Sequence, residues 1–131
     1  MTTTVELGAA DFDSTVTTND IVLVDSWASW CGPCRQFASV YERTAQAHGD
    51  IVFGKVDTEA QRELSVAAGI SSIPTLMAFR DGMLVFSQPG ALPAPALEQV
   101  IAAVRALDMT APRAEAARVR ETTDHQAGST R

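Results

Sequence analysis

Both cysteines of this 131-residue chain lie in the segment Trp30-Cys31-Gly32-Pro33-Cys34, with only Gly32 and Pro33 between them. Thiols this close can pass between dithiol and disulfide inside one tight turn. A bridge that served stability alone would close a longer loop and restrict the unfolded chain more strongly. The pair therefore reads as chemistry rather than as a staple. Gly32 permits a tight backbone, and Pro33 suits the first position of a helix, where its missing N–H costs nothing. Cys31 then lies just outside a helix N-terminus. There, unpaired N–H groups and the positive end of the helix dipole favour a thiolate.

Other uses of a CxxC pair fit less well. A zinc site generally needs four ligands, commonly from Cys and His. With no further cysteine, His48 and His125 are the remaining candidates, and they are too far apart for the usual spacing. No metal is expected. Structural bridges in small secreted domains come in several and accompany an export signal. The start Met1-Thr2-Thr3-Thr4-Val5-Glu6 has neither a basic region nor an apolar stretch, and no run is long enough to span a membrane. The expectation is thiol redox chemistry in a reducing cytoplasm.

A second chemical group stands just upstream. Ile21-Val22-Leu23-Val24-Asp25-Ser26-Trp27 is apolar and β-branched, the pattern of a strand buried on both faces, yet it contains Asp25. A carboxylate in such a strand either faces solvent or sits buried with a raised pKa or a partner. The buried reading is preferred, because perturbed carboxylates gather at active sites.

These groups need elements to hold them. Thr3–Glu6 reads as a weak strand, followed by a helix near Ala9–Thr17 and the strand Ile21–Trp27. After the cysteines, Cys34, Phe37, Ala38, Tyr41 and Ala45 recur at helical spacing, so a helix runs to about His48. Ile51–Val56 reads as the next strand, parallel to the previous one because a helix connects them. Thr58-Glu59-Ala60-Gln61 has the form of a capping box opening a helix that stops at Gly69. Thr75–Phe79 and Leu84–Ser87 flank the turn dipeptide Asp81-Gly82 and form a hairpin. Leu97, Val100, Ile101, Val104 and Leu107 line the apolar face of a last helix. Residues 1–108 make one domain. Residues 109–131 read as a flexible tail, solvated from Pro112 onward, with a nascent helix over 113–121.

Composition narrows the partners. The hydrophobic fraction of 46% fits a globular protein, and the formal charge of −6 argues against nucleic acid or an acidic membrane surface. No internal repeat is visible, and His48 and His125 fit solvated positions without a motif.

Taken in order, Val24-Asp25-Ser26-Trp27-Ala28-Ser29-Trp30-Cys31-Gly32-Pro33-Cys34, Lys55-Val56-Asp57, Ile73-Pro74-Thr75 and Gly90-Ala91 resemble the thioredoxin family, in its bacterial branch, over about residues 3–107. The resemblance implies an α/β protein of the thioredoxin fold, a mixed central β-sheet flanked by helices on both faces. It implies a protein-disulfide reductase that cycles a Cys31/Cys34 dithiol and disulfide, with Cys31 attacking and Cys34 resolving. Gly32 and Pro33 form the active-site turn. Asp25 becomes the proton acceptor for Cys34, and Lys55 matches the lysine near that aspartate. Pro74 matches a cis-proline whose preceding residue, Ile73, pairs with the substrate backbone, and Trp30 and Gly90 belong to the same substrate-binding surface. Trp27 reads as core.

The implied partners are a thioredoxin reductase, carrying electrons from NADPH, and disulfide-containing proteins. No bound cofactor is implied, and a cytoplasmic monomer is expected. Two other readings share the fold: a redox-independent chaperone or scaffold subunit, and a disulfide oxidase or isomerase. Ser26 stands where the family commonly has an aromatic residue, and Ser39 where many members have a kinking proline. The first bears on packing beneath the site, the second on the curvature of the helix.

Overall fold

The computed structural model describes residues 3–110. In chain order these form β1 (Thr4–Glu6), α1 (Phe12–Thr18), β2 (Ile21–Trp27), α2 (Gly32–Ala47), β3 (Val52–Asp57), α3 (Arg62–Ala67), β4 (Thr75–Arg80), β5 (Met83–Pro89) and α4 (Ala94–Ala106). The five strands make one sheet in the order β1-β3-β2-β4-β5. β1, β3 and β2 are parallel, while β4 runs antiparallel to β2, and β5 antiparallel to β4. The sheet is therefore mixed.

β2 is central, which explains its unbroken apolar run: every residue from Ile21 to Ser26 is buried. Its alternating side chains feed two cores. Ile21 and Leu23 join Phe37 and Tyr41 of α2, Phe53 of β3, and Leu97 and Ile101 of α4. Val22 and Val24 join Leu7, Phe12 and Val16 on the α1 side, with Val56 and Met77. Each large side chain fully removed from water adds about 1.5–3 kcal/mol, so Phe37, Leu97 and their neighbours fix α2 firmly on the sheet.

Several boundaries differ from the sequence reading for identifiable reasons. α1 starts at Phe12 rather than Ala9 because the Asp11 carboxylate accepts from the Gly8 N–H, and Gly8 O accepts from the N–H groups of Asp11 and Phe12. That local turn occupies the residues expected to be helical. The capping box expected at Thr58 does not form. Both the N–H and the hydroxyl of Thr58 donate to Trp27 O, and Asp57 Oδ1 accepts from the N–H groups of Glu59 and Ala60. α3 opens only at Arg62, after Gln61. An aspartate turn outcompeted the cap, as short polar side chains do when they bond their own backbone.

The hairpin at Asp81-Gly82 forms as expected, with φ of 54° and 82° at the two turn residues, the pairing for which glycine is suited. α2 runs uninterrupted through Ser39. Leu107, expected on the apolar face of the last helix, instead closes α4 as its C-cap and is exposed. There Arg80 Nη1 donates to the carbonyls of Val104 at 2.6 Å and Arg105 at 3.3 Å, adding to the Leu107 N–H that Val104 O already accepts at the helix end. The segment from Pro112 onward, including the helix expected over 113–121 and His125, lies outside the described residues.

Candidate active site

The two cysteines sit where strand gives way to helix. Cys31 is the N-cap of α2, with extended backbone (φ −90°, ψ 112°), and proline occupies the first turn. The Cys31 N–H donates to Ala28 O, the Cys34 N–H donates to Cys31 Sγ at 3.2 Å, and the Arg35 N–H donates to Cys31 O. The Cys31 sulfur therefore occupies the place of a capping acceptor at the positive end of a helix, the position that stabilises a thiolate. The pair is joined as a disulfide, Cα–Cα 5.2 Å, and both residues are buried. Gly32 and Pro33 form the first turn between them.

A second loop faces this turn. The Ile73–Pro74 peptide bond is cis, and Ile73 O lies 3.9 Å from Cys31 Sγ. Pro74 is fully buried, and its carbonyl accepts from the Gly90 N–H at 2.7 Å. Gly90 has φ +106°, a conformation that side-chain-bearing residues rarely adopt. The residues expected on the substrate surface thus come from three separate loops. Trp30, at 66% exposure, presents an indole beside Cys31 that no core claims.

Asp25, in the strand that leads to the turn, is fully buried, with neither carboxylate oxygen hydrogen-bonded within the protein. Burial raises its pKa from 3.8 to about 7; Lys55 opposes the rise and Glu6 adds to it. The strand register shows why these three interact. Asp25 is opposite Lys55 across β2–β3, and Lys55 is opposite Glu6 across β3–β1. Lys55 Nζ sits 5.0 Å from the Trp27 ring, a cation–π contact, and so leaves the carboxylate without a direct ion pair. Trp27, expected as core, is half-buried beneath that ammonium. A pocket of about 250 Å³ opens beside Cys34, walled by Trp27, Arg35, Ala38 and Lys55.

Three side chains do more than the sequence reading assigned to them. Arg35 bends back so that Nη1 donates to Ser29 O at 2.9 Å, bracing the loop that carries Trp30 and Cys31. Its place directly after the CxxC pair was the available signal. Tyr41 is wholly buried, and its hydroxyl donates to Gly54 O at 2.8 Å. Burial and the nearby Asp25 hold its pKa well above the usual value. His48 is not simply solvated: Nε2 lies 2.8 Å from Glu98 Oε1, and Arg105 Nη2 lies 3.0 Å from Nδ1. Because a guanidinium only donates, Nδ1 accepts and the ring proton sits on Nε2 facing Glu98. No sequence motif links these three, which meet only through tertiary packing. Among the described residues, no group of three or more His, Cys, Asp or Glu side chains could hold a metal ion, and no helix is long and apolar enough to cross a membrane.

Comparison with known proteins places this geometry. The thioredoxin family model matches residues 3–103. A Streptomyces coelicolor protein named for thioredoxin 2 is 63% identical over 109 residues, covering 83% of this chain and 81% of that protein. The thioredoxin of Bacillus subtilis is 38% identical, covering 67% of this chain and 86% of its own length. Among solved structures, Plasmodium falciparum thioredoxin superposes with TM-score 0.70 at 36% identity, covering 74% of this chain and 95% of that one. A mutant thioredoxin from Halobacterium salinarum superposes with TM-score 0.74 at 31% identity, covering 79% and 92%.

Proposed function

Because the chain belongs to the thioredoxin family, and is a thiol–disulfide oxidoreductase that acts as a protein-disulfide reductase, we propose the following division of labour among its residues. In the reduced protein the Cys31 thiolate attacks one sulfur of a substrate disulfide. That bond breaks, the departing thiolate takes a proton, and a Cys31–substrate mixed disulfide forms. Cys34 then loses its proton to Asp25. The Cys34 thiolate attacks Cys31 Sγ, re-forming the Cys31–Cys34 disulfide and expelling the second substrate thiol. Two electrons have moved from the protein to the substrate.

The observation that carries this reading is the approach of Cys31 Sγ to Ile73 O across the cis-proline loop. A substrate peptide extended along Ile73 has its disulfide delivered to Cys31, with Trp30 and Gly90 flanking it, a strand-addition contact. Asp25 suits proton transfer because a pKa of about 7 lets it both accept and release a proton near neutrality. Lys55 tempers that value by its charge. No prosthetic group takes part.

Thioredoxins act in general with a reductase and with disulfide substrates. For this chain we infer re-reduction by a thioredoxin reductase, with NADPH as the electron source, in the cytoplasm and as a monomer. The redox unit is residues 1–108. The test is insulin reduction in the presence of dithiothreitol: wild type accelerates precipitation of the insulin B chain, and Cys31→Ser does not. Equal rates would sink the assignment.

A further inference from the structure

The chain carries a net charge of −6, yet the segments that meet at Cys31 are nearly free of charge. Residues 28–35, 71–74 and 89–93 contain a single ionisable side chain apart from the cysteines, Arg35. Its guanidinium is not loose on the surface, since Nη1 is tied to Ser29 O at 2.9 Å. One of its five N–H donors is thereby committed, and the others are free to bond outward. The ion pairs among the described residues are Arg62–Glu59 and Arg105–Asp50, and Glu98 bonds to the His48 ring, so none of these carboxylates neutralises Arg35. Lys55 shares a wall of the same pocket beside Cys34, and no carboxylate lines it. An acidic protein thus presents one fixed cation, backed by a second, on the Cys34 side of the site, while the nearest acidic segment, Asp57-Thr58-Glu59, joins at Trp27 O.

We propose that Arg35 is a specificity-determining residue that selects disulfide substrates carrying a carboxylate beside the reacting cysteine. The proposal rests on the reductase reading and deepens it by naming a substrate class. The physical basis is complementary charge at short range. The Arg35 fork is pre-oriented by its bond to Ser29 O, so little freedom is lost when a substrate Asp or Glu meets it. A basic flank instead meets a like charge at the same point, which is the stronger source of discrimination. The remainder of the acidic surface repels an acidic substrate that approaches elsewhere, so productive encounters concentrate at this face.

The experiment compares kcat/KM of the full chain for three peptide disulfides, identical except for Glu, Gln or Lys on either side of the cysteine. Wild type is expected to favour the Glu peptide over the Lys peptide by about two- to fivefold, the range of an exposed ion pair. This ratio should shrink at about 0.5 M salt, where the Debye length falls to a few ångströms. Arg35→Lys keeps the preference, Arg35→Gln abolishes it, and Arg35→Glu inverts it. If the ratio stays fixed while all three substitutions slow every peptide alike, Arg35 is only a brace for the Ser29 loop and the proposal is overturned. Wild type active on the Gln peptide but indifferent to flanking charge also overturns it, leaving the reductase reading intact. Wild type inactive on the Gln peptide removes both.

Discussion

Asp25 and Ser26 are neighbours in β2, both are fully buried, and both keep side-chain oxygens without a hydrogen-bond partner. Strand alternation sends them to opposite faces of the sheet. Asp25 enters the layer beneath α2, on the side of Phe37 and Tyr41. Ser26 enters the layer beneath α1 and α3, beside Val24 and Val56. The same defect, an orphaned oxygen in the core, has different consequences on the two faces. A carboxyl group escapes the cost of burial by holding its proton, so the penalty appears as a pKa near neutrality that thiol chemistry can use. A hydroxyl has no such exit. Its penalty remains an unmade hydrogen bond and returns nothing to the reaction.

The comparison breaks most completely if the sulfur chemistry on the Asp25 side is absent. Cys31→Ser is expected to drop insulin reduction to the uncatalysed background. Cys34→Ser should stop after the first exchange and accumulate a mixed disulfide between Cys31 and the substrate, visible as an added mass that dithiothreitol removes. If Cys34→Ser turned over normally, the buried carboxyl would have no thiol to serve, and Asp25 would be as idle as Ser26.

Asp25→Asn is the next largest effect and acts on both activity and stability. In the unfolded chain the group ionises around 3.8, and in the folded protein at about 7. Between these values the folded state holds a proton that the unfolded state has lost, so this group's contribution to stability falls as pH rises. The fall is complete above the folded pKa and spans roughly three pH units, about 4 kcal/mol in all. The variant lacks this slope. Denaturant titration of the oxidised proteins should show little difference near pH 4 and the variant more stable by a few kcal/mol at pH 8. Reduction of substrate by the variant should slow at the Cys34 step. A variant less stable than wild type at pH 8 would contradict the burial argument directly.

Much of this architecture was legible beforehand, for reasons that particular residues make plain. The Ile21–Trp27 run announced a strand covered on both sides, and the Asp81-Gly82 dipeptide announced its hairpin, because both signals are local and chemically specific. The CxxC turn with proline in the helix start was likewise legible at once. What stayed hidden was tertiary. Nothing in sequence links Arg35 to Ser29 O, or His48 to Glu98 and Arg105. Thr58 looked like a cap because the competing Asp57 turn uses a residue read only as the end of a strand. Tyr41 read as an apolar core position at helical spacing, and its hydroxyl bond to Gly54 O depends on how closely α2 lies over β3. Tyr41→Phe measures that bond on the Asp25 side of the sheet. It should lower stability by about 1 kcal/mol, the usual net worth of one hydrogen bond. An unchanged denaturant midpoint would mean that the bond contributes nothing.

Ser26→Ala is the smallest change and the sharpest on the other face, because its sign is opposite. The Ser26 hydroxyl is 1% exposed and bonds to no other group of the protein, so burial takes it from solvent without a protein hydrogen bond in return. Alanine removes that oxygen while keeping the Cβ that packs between Val56 of β3 and Thr75 of β4, its neighbours in register. Two contributions compete. Losing an unsatisfied polar atom favours the variant by about 1–2 kcal/mol. The volume vacated by one oxygen, together with the weaker strand preference of alanine, returns a fraction of this. The net expectation is a gain of about 0.5–1 kcal/mol in the denaturant midpoint analysis, independent of pH between 4 and 8, with insulin reduction unchanged. The pH independence separates the faces, since only an ionisable group can make stability follow pH. A Ser26→Ala protein that lost both stability and reductase activity would show that the hydroxyl supports the site from below, and the two faces would no longer differ in kind.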